Sequence, residues 1–477
     1  MDGIMENEYL NETESLCPVC LKRIKATRLL NGDEVFMVKE CKNHGSFRTV
    51  IWRGEPSMSK WRRPKPPVHP DLCYGVVEKG CPFDCGLCEA HKQLPCSVLL
   101  EVTDRCNLNC AVCFADSGRG EAEDPSLEKI SLLLERAIAA AGPCNLQLSG
   151  GEPTLRDDIP EIVEVARRIG YSFIQLNTNG LRIASDKGYV RRLQTAGLSS
   201  VFLQFDGVDD EIYRSLRGRA LLNQKLKAVK NCRETALGIV LVPTLVRGVN
   251  TDSIGAMVRQ ALQLAPTVRG IHFQPISYFG RFLRQSNDEG RFTLPELMRC
   301  LEEQTGGLVK VGDFSPPGCE HAHCSTHATY MYSAEGNLKP LGTAKEDSCC
   351  AGDLGEGGVR KTVETVSRRW TLSCAVPFFR SAPLPKENQC CTGNHRDMTR
   401  VEEPFDLDIF LQEGTFRSFT ISAMAFQDAD NLDLERLRGC CISVISPDGM
   451  LVPFCAYNLT SREGKGLYRC RNGAGWQ

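Results

Sequence analysis

Between residue 98 and about residue 280 the chain alternates short apolar runs with segments whose apolar residues recur every three to four positions. The runs at 98–104, 145–149, 173–178, 201–206, 237–244 and 271–275 are rich in Val, Leu, Ile and Phe, which predicts buried strands. The segments between them predict helices, and strand–helix alternation of this kind favours a parallel sheet with crossover helices. In the segment 124–138, Asp124 is placed to cap, Pro125 suits a first helical position, and Gly142 follows the end. Six strands are too few to close an eight-fold barrel.

The flanks read differently. Residues 1–62 form a small unit in which Cys17-Pro-Val-Cys20 is followed by Lys39-Glu-Cys41-Lys-Asn-His44-Gly45. Cys17, Cys20, Cys41 and His44 suit a tetrahedral zinc or a rubredoxin-like mononuclear iron. Arg62-Arg-Pro-Lys-Pro-Pro67 can neither continue a helix nor donate to a central strand, so it reads as a linker. A second unit, 71–96, carries Cys73, Cys81, Cys85 and Cys88, and the strand-bearing core spans 97–285. From 286 to 477 the pattern loosens into an irregular α+β region, with a Gly-, Pro- and Cys-rich insertion over about 341–400. Strands are expected again near 416–425 and 440–445, then a turn at Pro447-Asp-Gly449 leading to Leu451–Cys455.

Composition narrows the function. A net charge of -2 and a pI near 6.5 give no electrostatic footprint for nucleic acid. No apolar run approaches the roughly 18 residues that span a bilayer, and the start of the chain lacks a secretory signal, so a cytoplasmic protein is expected. With 25 cysteines and no export signal, thiols read as metal ligands or redox groups instead of disulfides.

The chemistry concentrates after the first strand, Val98-Leu-Leu-Glu-Val-Thr103, where Cys106, Cys110 and Cys113 follow at C-x3-C-x2-C spacing. Three thiolates bind three corners of a cubane iron–sulfur cluster and leave the fourth iron open. Cys81, Cys85 and Cys88 repeat the spacing, but Cys73 stands close by as a fourth ligand; that unit suits a closed auxiliary cluster, with zinc as the alternative. Leu148-Ser-Gly-Gly-Glu-Pro-Thr-Leu155 ends the second strand; Gly150 and Gly151 allow a close backbone approach, and Glu152 can accept from an ammonium group. Asn177 and Asn179 end the third strand, and Gln204 and Asp206 the fourth, as polar candidates for one shared mouth. Turn and capping chemistry is the plainer reading of each of these alone. Toward the C-terminus, Cys319, Cys324, Cys441 and Cys455 form a candidate set for a further auxiliary cluster, with His321 and His323 as alternative ligands and one of Cys440 and Cys441 spare.

The C-x3-C-x2-C motif on the first strand, followed by Gly150-Gly-Glu-Pro153, resembles the radical SAM superfamily. That resemblance implies a partial (β/α)6 barrel. It implies S-adenosylmethionine (SAM) on a 4Fe-4S cluster held by Cys106, Cys110 and Cys113, and reductive formation of a 5′-deoxyadenosyl radical. SAM would lie against the Gly150–Pro153 motif, Asn177, Asn179, Gln204, Asp206 and Val242, with Phe114 stacked on adenine, and Gln274 would face the substrate. The N-terminal knuckle, the closed cluster, Arg269-Gly-Ile-His-Phe-Gln-Pro-Ile-Ser277 with Gly280-Arg281, Asp313-Phe-Ser-Pro-Pro317 and Pro453-Phe-Cys-Ala-Tyr-Asn458 together resemble one branch. Its members are tetraether lipid synthases, also described as dihydropterin-modifying methyltransferases. Over about 341–430 the chain is closer to a bacterial radical SAM (seleno)protein group. The expectation is hydrogen abstraction from an unactivated carbon, for carbon–carbon bond formation on a lipid-like substrate, with methylation or peptide modification as alternatives. One or two auxiliary 4Fe-4S clusters, a mononuclear iron or zinc, and a reductant such as ferredoxin or flavodoxin are implied. A non-enzymatic iron–sulfur electron carrier is the alternative from another class.

Overall fold

The computed structural model describes residues 8–118, 123–282, 287–332, 337–341, 357–371 and 417–469. The paired cysteines 349–350 and 390–391 lie outside them.

An antiparallel meander opens the chain: β1 Glu8–Leu16, β2 Arg23–Asn31, β3 Glu34–Cys41 and β4 Gly45–Arg53, paired in that order. The two tight turns at one end of it, Cys17–Lys22 and Cys41–Gly45, carry the four expected metal ligands. Leu16, Cys17, Val35, Met37, Cys41 and Trp52 are buried, so one face of this small sheet packs inward. Residues 54–96 contain no regular strand or helix. The proline-rich stretch is pinned: Arg63 donates to the Pro316 carbonyl and Lys65 to that of Glu320.

The core strands are β5 Ser97–Thr103, β6 Asn145–Gly150, β7 Ile174–Thr178, β8 Ser200–Gln204, β9 Ile239–Val242, the two-residue β10 Thr244–Leu245, and β11 Val268–Pro275. These coincide with the apolar runs of the sequence. All seven residues of β5 are buried, as expected of a parallel strand covered on both faces. Neighbours pair in parallel, with Leu99 opposite Gln147, Gln147 opposite Gln175, Asn177 opposite Phe202 and Gln204 opposite Val242.

The C-terminal region extends this sheet at both edges instead of forming a separate body. Of β12 Ser325–Tyr332, β13 Leu338–Pro340, β14 Arg417–Met424, β15 Ile442–Ile445 and β16 Leu451–Pro453, strand β14 runs parallel to β11 and β15 parallel to β5. Among the described residues no ladder joins the β14 edge to the β15 edge, so the curved sheet stays an open, partial barrel.

Two local expectations are corrected. The first crossover helix, α1 Leu127–Ala141, is capped by Ser126, whose side chain accepts from the Lys129 N–H, and not by Asp124. Asp124 faces the other way, accepting from Thr103 and Arg105 at the mouth of the barrel. The expected strand at 451–455 also stops early, because Phe454–Tyr457 forms a helical turn that carries Cys455.

Candidate active site and metal centres

Cys106, Cys110 and Cys113 sit on the loop that leaves the C-terminal end of β5, and distant residues set its shape. Arg281 exchanges backbone hydrogen bonds with Cys113, donates Nε to the Cys110 carbonyl at 2.6 Å, and pairs with Asp116 at 2.9 Å. Gly280 is required there, since a Cβ would lie 2.7 Å from the Cys113 carbonyl and 2.6 Å from that of Phe114. From the other side Arg217 donates to the Val112 carbonyl at 2.9 Å, and Asn179 Nδ2 donates to Asn107 Oδ1 at 2.7 Å. Burial pushes the Cys106 thiol up to about 11 and raises that of Cys110. Without a cation Cys106 and Cys110 would stay protonated, and a bound cation is what would draw three thiolates to one point.

Asp206 is not the cavity liner that its position at a strand end suggested. It is fully buried and binds Arg217 through both oxygens, each at 2.7 Å. Arg217 itself lines the cavity and lies beside Cys110. The helix Asp210–Arg217 delivers it, burying Ile212, Tyr213 and Leu216 on one face.

Glu152 is almost wholly committed within the protein. Its Oε1 accepts from Thr154 N–H, Thr154 Oγ1 and Thr178 Oγ1, and its Oε2 from the Asn179 N–H at 2.7 Å. It therefore ties the end of β6 to the end of β7 and has room for one further donor at Oε2. The glycines before it serve the same closure. A Cβ on Gly150 would lie 2.2 Å from the Thr103 carbonyl, and one on Gly151 2.3 Å from that of Arg105. Gly150, Gly151 and Glu152 border the cavity; Pro153 is buried behind them, starting a 3-10 turn.

These groups converge on one cavity of about 450 Å³ inside the barrel. The three thiols, Phe114, Asn177, Asn179, Gln204, Val242 and Gln274 all line it. Its walls are uneven. The polar lining comes from β6, β7 and β11, with Asn145, Gln147, Gln175, Asn177, His272 and Gln274, and the apolar lining from β5, β14, β15 and the segments that follow β14 and β16, with Leu99, Met424, Phe426, Ile442 and Phe454. Asn177 Nδ2 donates to Gln147 Oε1 at 3.1 Å, while the buried Oδ1 atoms of Asn177 and Asn145 have no hydrogen-bond partner among the described residues. Orphaned acceptors in a cavity wall cost about 1–3 kcal/mol each unless a ligand supplies the donor, so the wall suits a polar occupant. His272 Nδ1 lies 2.8 Å from Ser422 Oγ, and burial holds the ring down to about 4, so it is a neutral imidazole at pH 7.

Apart from the isolated Cys144, Cys232 and Cys300, the other described thiols fall into four sets. In the N-terminal knuckle the ligand atoms of Cys17, Cys20, Cys41 and His44 all lie within 4.8 Å of one another. Cys41 is held down to about 6 by the Asn43 N–H and the His44 ring. In the 71–96 unit the side-chain contact between Cys81 and Cys85 holds Cys81 down and pushes Cys85 up, and burial, with the charge of Cys88 beside it, raises Cys73. Tyr468 fixes this loop, accepting from the Cys85 N–H at 2.8 Å and donating to the Pro82 carbonyl at 2.6 Å.

The C-terminal set does not assemble as Cys319, Cys324, Cys441 and Cys455. Cys319 and Cys441 join Cys96, whereas Cys324, Cys440 and Cys455 line a second, smaller cavity that Cys441 also borders. The register of β15 against β5 explains the split, because Ile442 opposite Ser97 places Cys441 beside Cys96. Cys324 is drawn away by Arg436, which donates to its sulfur at 3.0 Å. His321 also borders the smaller cavity, and His323 turns to the Met58 carbonyl.

The radical SAM superfamily model matches residues 100–261, the stretch that carries the three thiols and the Gly150–Glu152 loop. The chain is also 34% identical over 483 residues to the 7,8-dihydro-6-hydroxymethylpterin dimethyltransferase of Methanocaldococcus jannaschii, covering 95% of this chain and 94% of that protein. The chain belongs to the radical SAM superfamily. Radical SAM proteins bind a 4Fe-4S cluster and SAM, and this chain is an enzyme of that class, which sets aside the electron-carrier alternative. A model described as the HMPTM N-terminal zinc ribbon domain matches residues 9–53, the meander with the Cys/His knuckle. A probable GTP 3′,8-cyclase of Methanothermobacter thermautotrophicus is 34% identical over 173 residues, 35% of this chain and 54% of that protein. Among solved structures, SuiB of Streptococcus suis bound to S-adenosylmethionine aligns over 45% of this chain and 47% of its own, at 18% identity and a TM-score of 0.39. No helix among the described residues is long and apolar enough to cross a membrane.

The sequence reading missed Cys96, Arg217 and His272 as site residues. Cys96 belongs to no spacing motif, Arg217 is one basic residue among many, and His272 was passed over in favour of Gln274.

Proposed function

We propose that Cys106, Cys110 and Cys113 hold the 4Fe-4S cluster of this radical SAM enzyme, with SAM at the mouth of the barrel and the substrate deeper inside it. The observation that carries this is the convergence of the three thiols, the Gly150–Glu152 loop and the strand-end amides on one cavity. When bound, the cluster supplies one electron to the SAM sulfonium, which breaks to methionine and a 5′-deoxyadenosyl radical that takes hydrogen from a substrate carbon.

The chain's own residues do the holding and the shielding. Glu152 Oε2 accepts from the methionine ammonium group, its remaining acceptor position being directed by the Asn179 N–H. Asn177 Oδ1, lacking a partner, and Gln204, which accepts from Lys225 at 3.2 Å, take the ribose hydroxyls. Val242 and Phe114 face the adenine; Phe114 is supported by the Phe454 ring at 5.5 Å. Arg217 and Arg281 fix the loop, and the buried apolar wall keeps water from the radical.

We read the substrate as a polar ring of the pterin class, methylated in the outcome, since the relative matching nearly the whole chain is named for that activity. The amide side of the cavity, with neutral His272, offers both donors and acceptors at fixed positions, which suits the edge of such a heterocycle. The apolar side, with Leu99, Met424, Phe426, Ile442 and Phe454, supports a second reading in which a lipid-like chain is the substrate and a carbon–carbon bond is made. Cys73, Cys81, Cys85 and Cys88 hold an auxiliary cluster and Cys17, Cys20, Cys41 and His44 a single zinc or iron. Electrons arrive from a small reductant such as ferredoxin or flavodoxin.

The two substrate readings separate in one assay. Under reducing, anaerobic conditions, 7,8-dihydro-6-hydroxymethylpterin is expected to raise 5′-deoxyadenosine formation above the rate with SAM alone, and His272→Phe is expected to remove that stimulation. Stimulation by an isoprenoid lipid and none by the pterin would overturn the ring reading in favour of the chain.

A further inference from the structure

Three thiols meet on the flank of the barrel, at the start of the paired strands β5 and β15. Cys96 directly precedes β5 and Cys441 directly precedes β15, and the Cys96 N–H donates to the Cys441 carbonyl at 2.8 Å. Their sulfurs are 3.4 Å apart. Cys319 completes a set whose three sulfurs all lie within 4.8 Å of one another, each residue at most 5% exposed.

We propose that Cys96, Cys319 and Cys441 hold a single divalent metal ion, zinc or ferrous iron, in the wall of the reaction cavity. Spacing carries the argument. A tetrahedral ion with metal–sulfur bonds of about 2.3 Å sets its sulfurs about 3.8 Å apart. A cubane cluster instead interposes its own irons and sulfides between the ligating thiolates and needs a wider ring. Among the described residues, the only other set this tight is the Cys17–His44 knuckle, whose four-ligand pattern is that of a single ion. Neither C-x3-C-x2-C set is drawn so close. Three buried sulfurs side by side also carry a large penalty as thiolates without a cation between them.

The ion would differ from the knuckle ion in having only three protein sulfurs. Cys96 and Glu320 border the reaction cavity, Cys441 and Glu320 border the smaller one, and Cys319 Sγ donates to the Glu320 carboxylate at 3.6 Å, so the fourth position would lie beside Glu320, between the three sulfurs and open space. Three protein ligands and an exchangeable fourth is the arrangement of a catalytic zinc, as against the four-ligand closure of a structural one. The ligand it would take is a nitrogen or oxygen of the substrate.

Counting metal and acid-labile sulfide in the full-length, anaerobically reconstituted protein tests this without an activity assay. Cys96→Ser/Cys319→Ser is expected to lose one metal ion per chain with sulfide unchanged. Loss of about four irons with four sulfides would overturn the proposal in favour of a cluster. An unchanged metal count would overturn it in favour of bare thiols. Cys96→Ser alone provides the same readout should the double variant fail to fold: its ion is expected to be stripped by a chelator that leaves the wild-type ion in place. Equal retention by wild type and Cys96→Ser would again contradict the proposal.

Discussion

The N-terminal knuckle and the mouth of the barrel both place cysteines on a turn that leaves a strand, yet they are built on different lengths of chain. In the knuckle, two turns of one meander bring Cys17, Cys20, Cys41 and His44 within 4.8 Å of one another. All four ligands come from the first 44 residues, although the C-terminal region braces the turns, with the Arg462 N–H donating to the Pro18 carbonyl and Leu16 and Leu21 packed in one cluster with Leu432 and Leu459. At the mouth, Cys106, Cys110 and Cys113 are close in sequence, but Arg217, Arg281 and Asn179 determine where they sit. A small metal site can take all its ligands from one local motif, whereas a site that must also hold a ligand and exclude water has its ligand loop positioned by the whole barrel.

Removing a long-range support should therefore damage the mouth far more than the knuckle. Asp206→Asn leaves Arg217 buried without its counter-charge, and breaking a buried pair in this way costs about 3–5 kcal/mol. The denaturant midpoint is expected to fall accordingly, and the reconstituted protein to lose the absorbance of the mouth cluster while keeping the knuckle metal. Equal loss of both metals would contradict the contrast.

The reverse experiment strikes the knuckle. Cys17→Ala/Cys41→Ala, or chelation of its ion, is expected to expose the amides of residues 8–53 to hydrogen exchange. SAM cleavage at the mouth should stay within severalfold of wild type. Collapse of cleavage along with the exchange protection would mean that the two regions are energetically one.

A smaller effect probes the mouth alone. Asn177→Leu removes the orphaned acceptor and its bond to Gln147, and SAM binding by titration calorimetry is expected to weaken about tenfold, near 1.4 kcal/mol. Unchanged affinity would take Asn177 out of the SAM site.

The smallest effect concerns the seam between the meander and the C-terminal region. Lys39 donates to Ser15 Oγ and to the Ala429 carbonyl, and burial lowers it from 10.5 to about 7. Between those two pH values the unfolded chain holds a proton that the folded chain lacks, so stability rises with pH across that window. The burial penalty is felt in full below about pH 7, where both states are protonated. Lys39→Met is expected to flatten the rise in urea midpoint between about pH 7 and about pH 9. An identical rise in wild type and variant would assign it to other groups.

How much of this could be read from the sequence follows the same division. The six core strands, the knuckle and the mouth cysteines were legible because each rests on local periodicity or spacing. The edge strands β14 and β15 were legible as strands, but their parallel pairing with β11 and β5 was not, because pairing across more than 140 residues leaves no local signal. Cys96 is the consequence. It becomes a neighbour of Cys441 only through that pairing, so the C-terminal thiols were grouped by closeness in sequence and the structure regrouped them. Asp206 shows the opposite error. A polar residue at a strand end was read as facing a ligand, and it serves a buried arginine instead. Glu152 was read as a ligand contact, and most of its carboxylate holds two strand ends together.

The measurement closest to the central claim is anaerobic reduction of the reconstituted enzyme with SAM, followed by chromatography for 5′-deoxyadenosine. Wild type is expected to produce it, and Cys106→Ala/Cys110→Ala/Cys113→Ala to produce none while the knuckle metal and the cluster of Cys73, Cys81, Cys85 and Cys88 remain. Undiminished 5′-deoxyadenosine from the triple variant would contradict the claim that these three thiols hold the cluster that cleaves SAM.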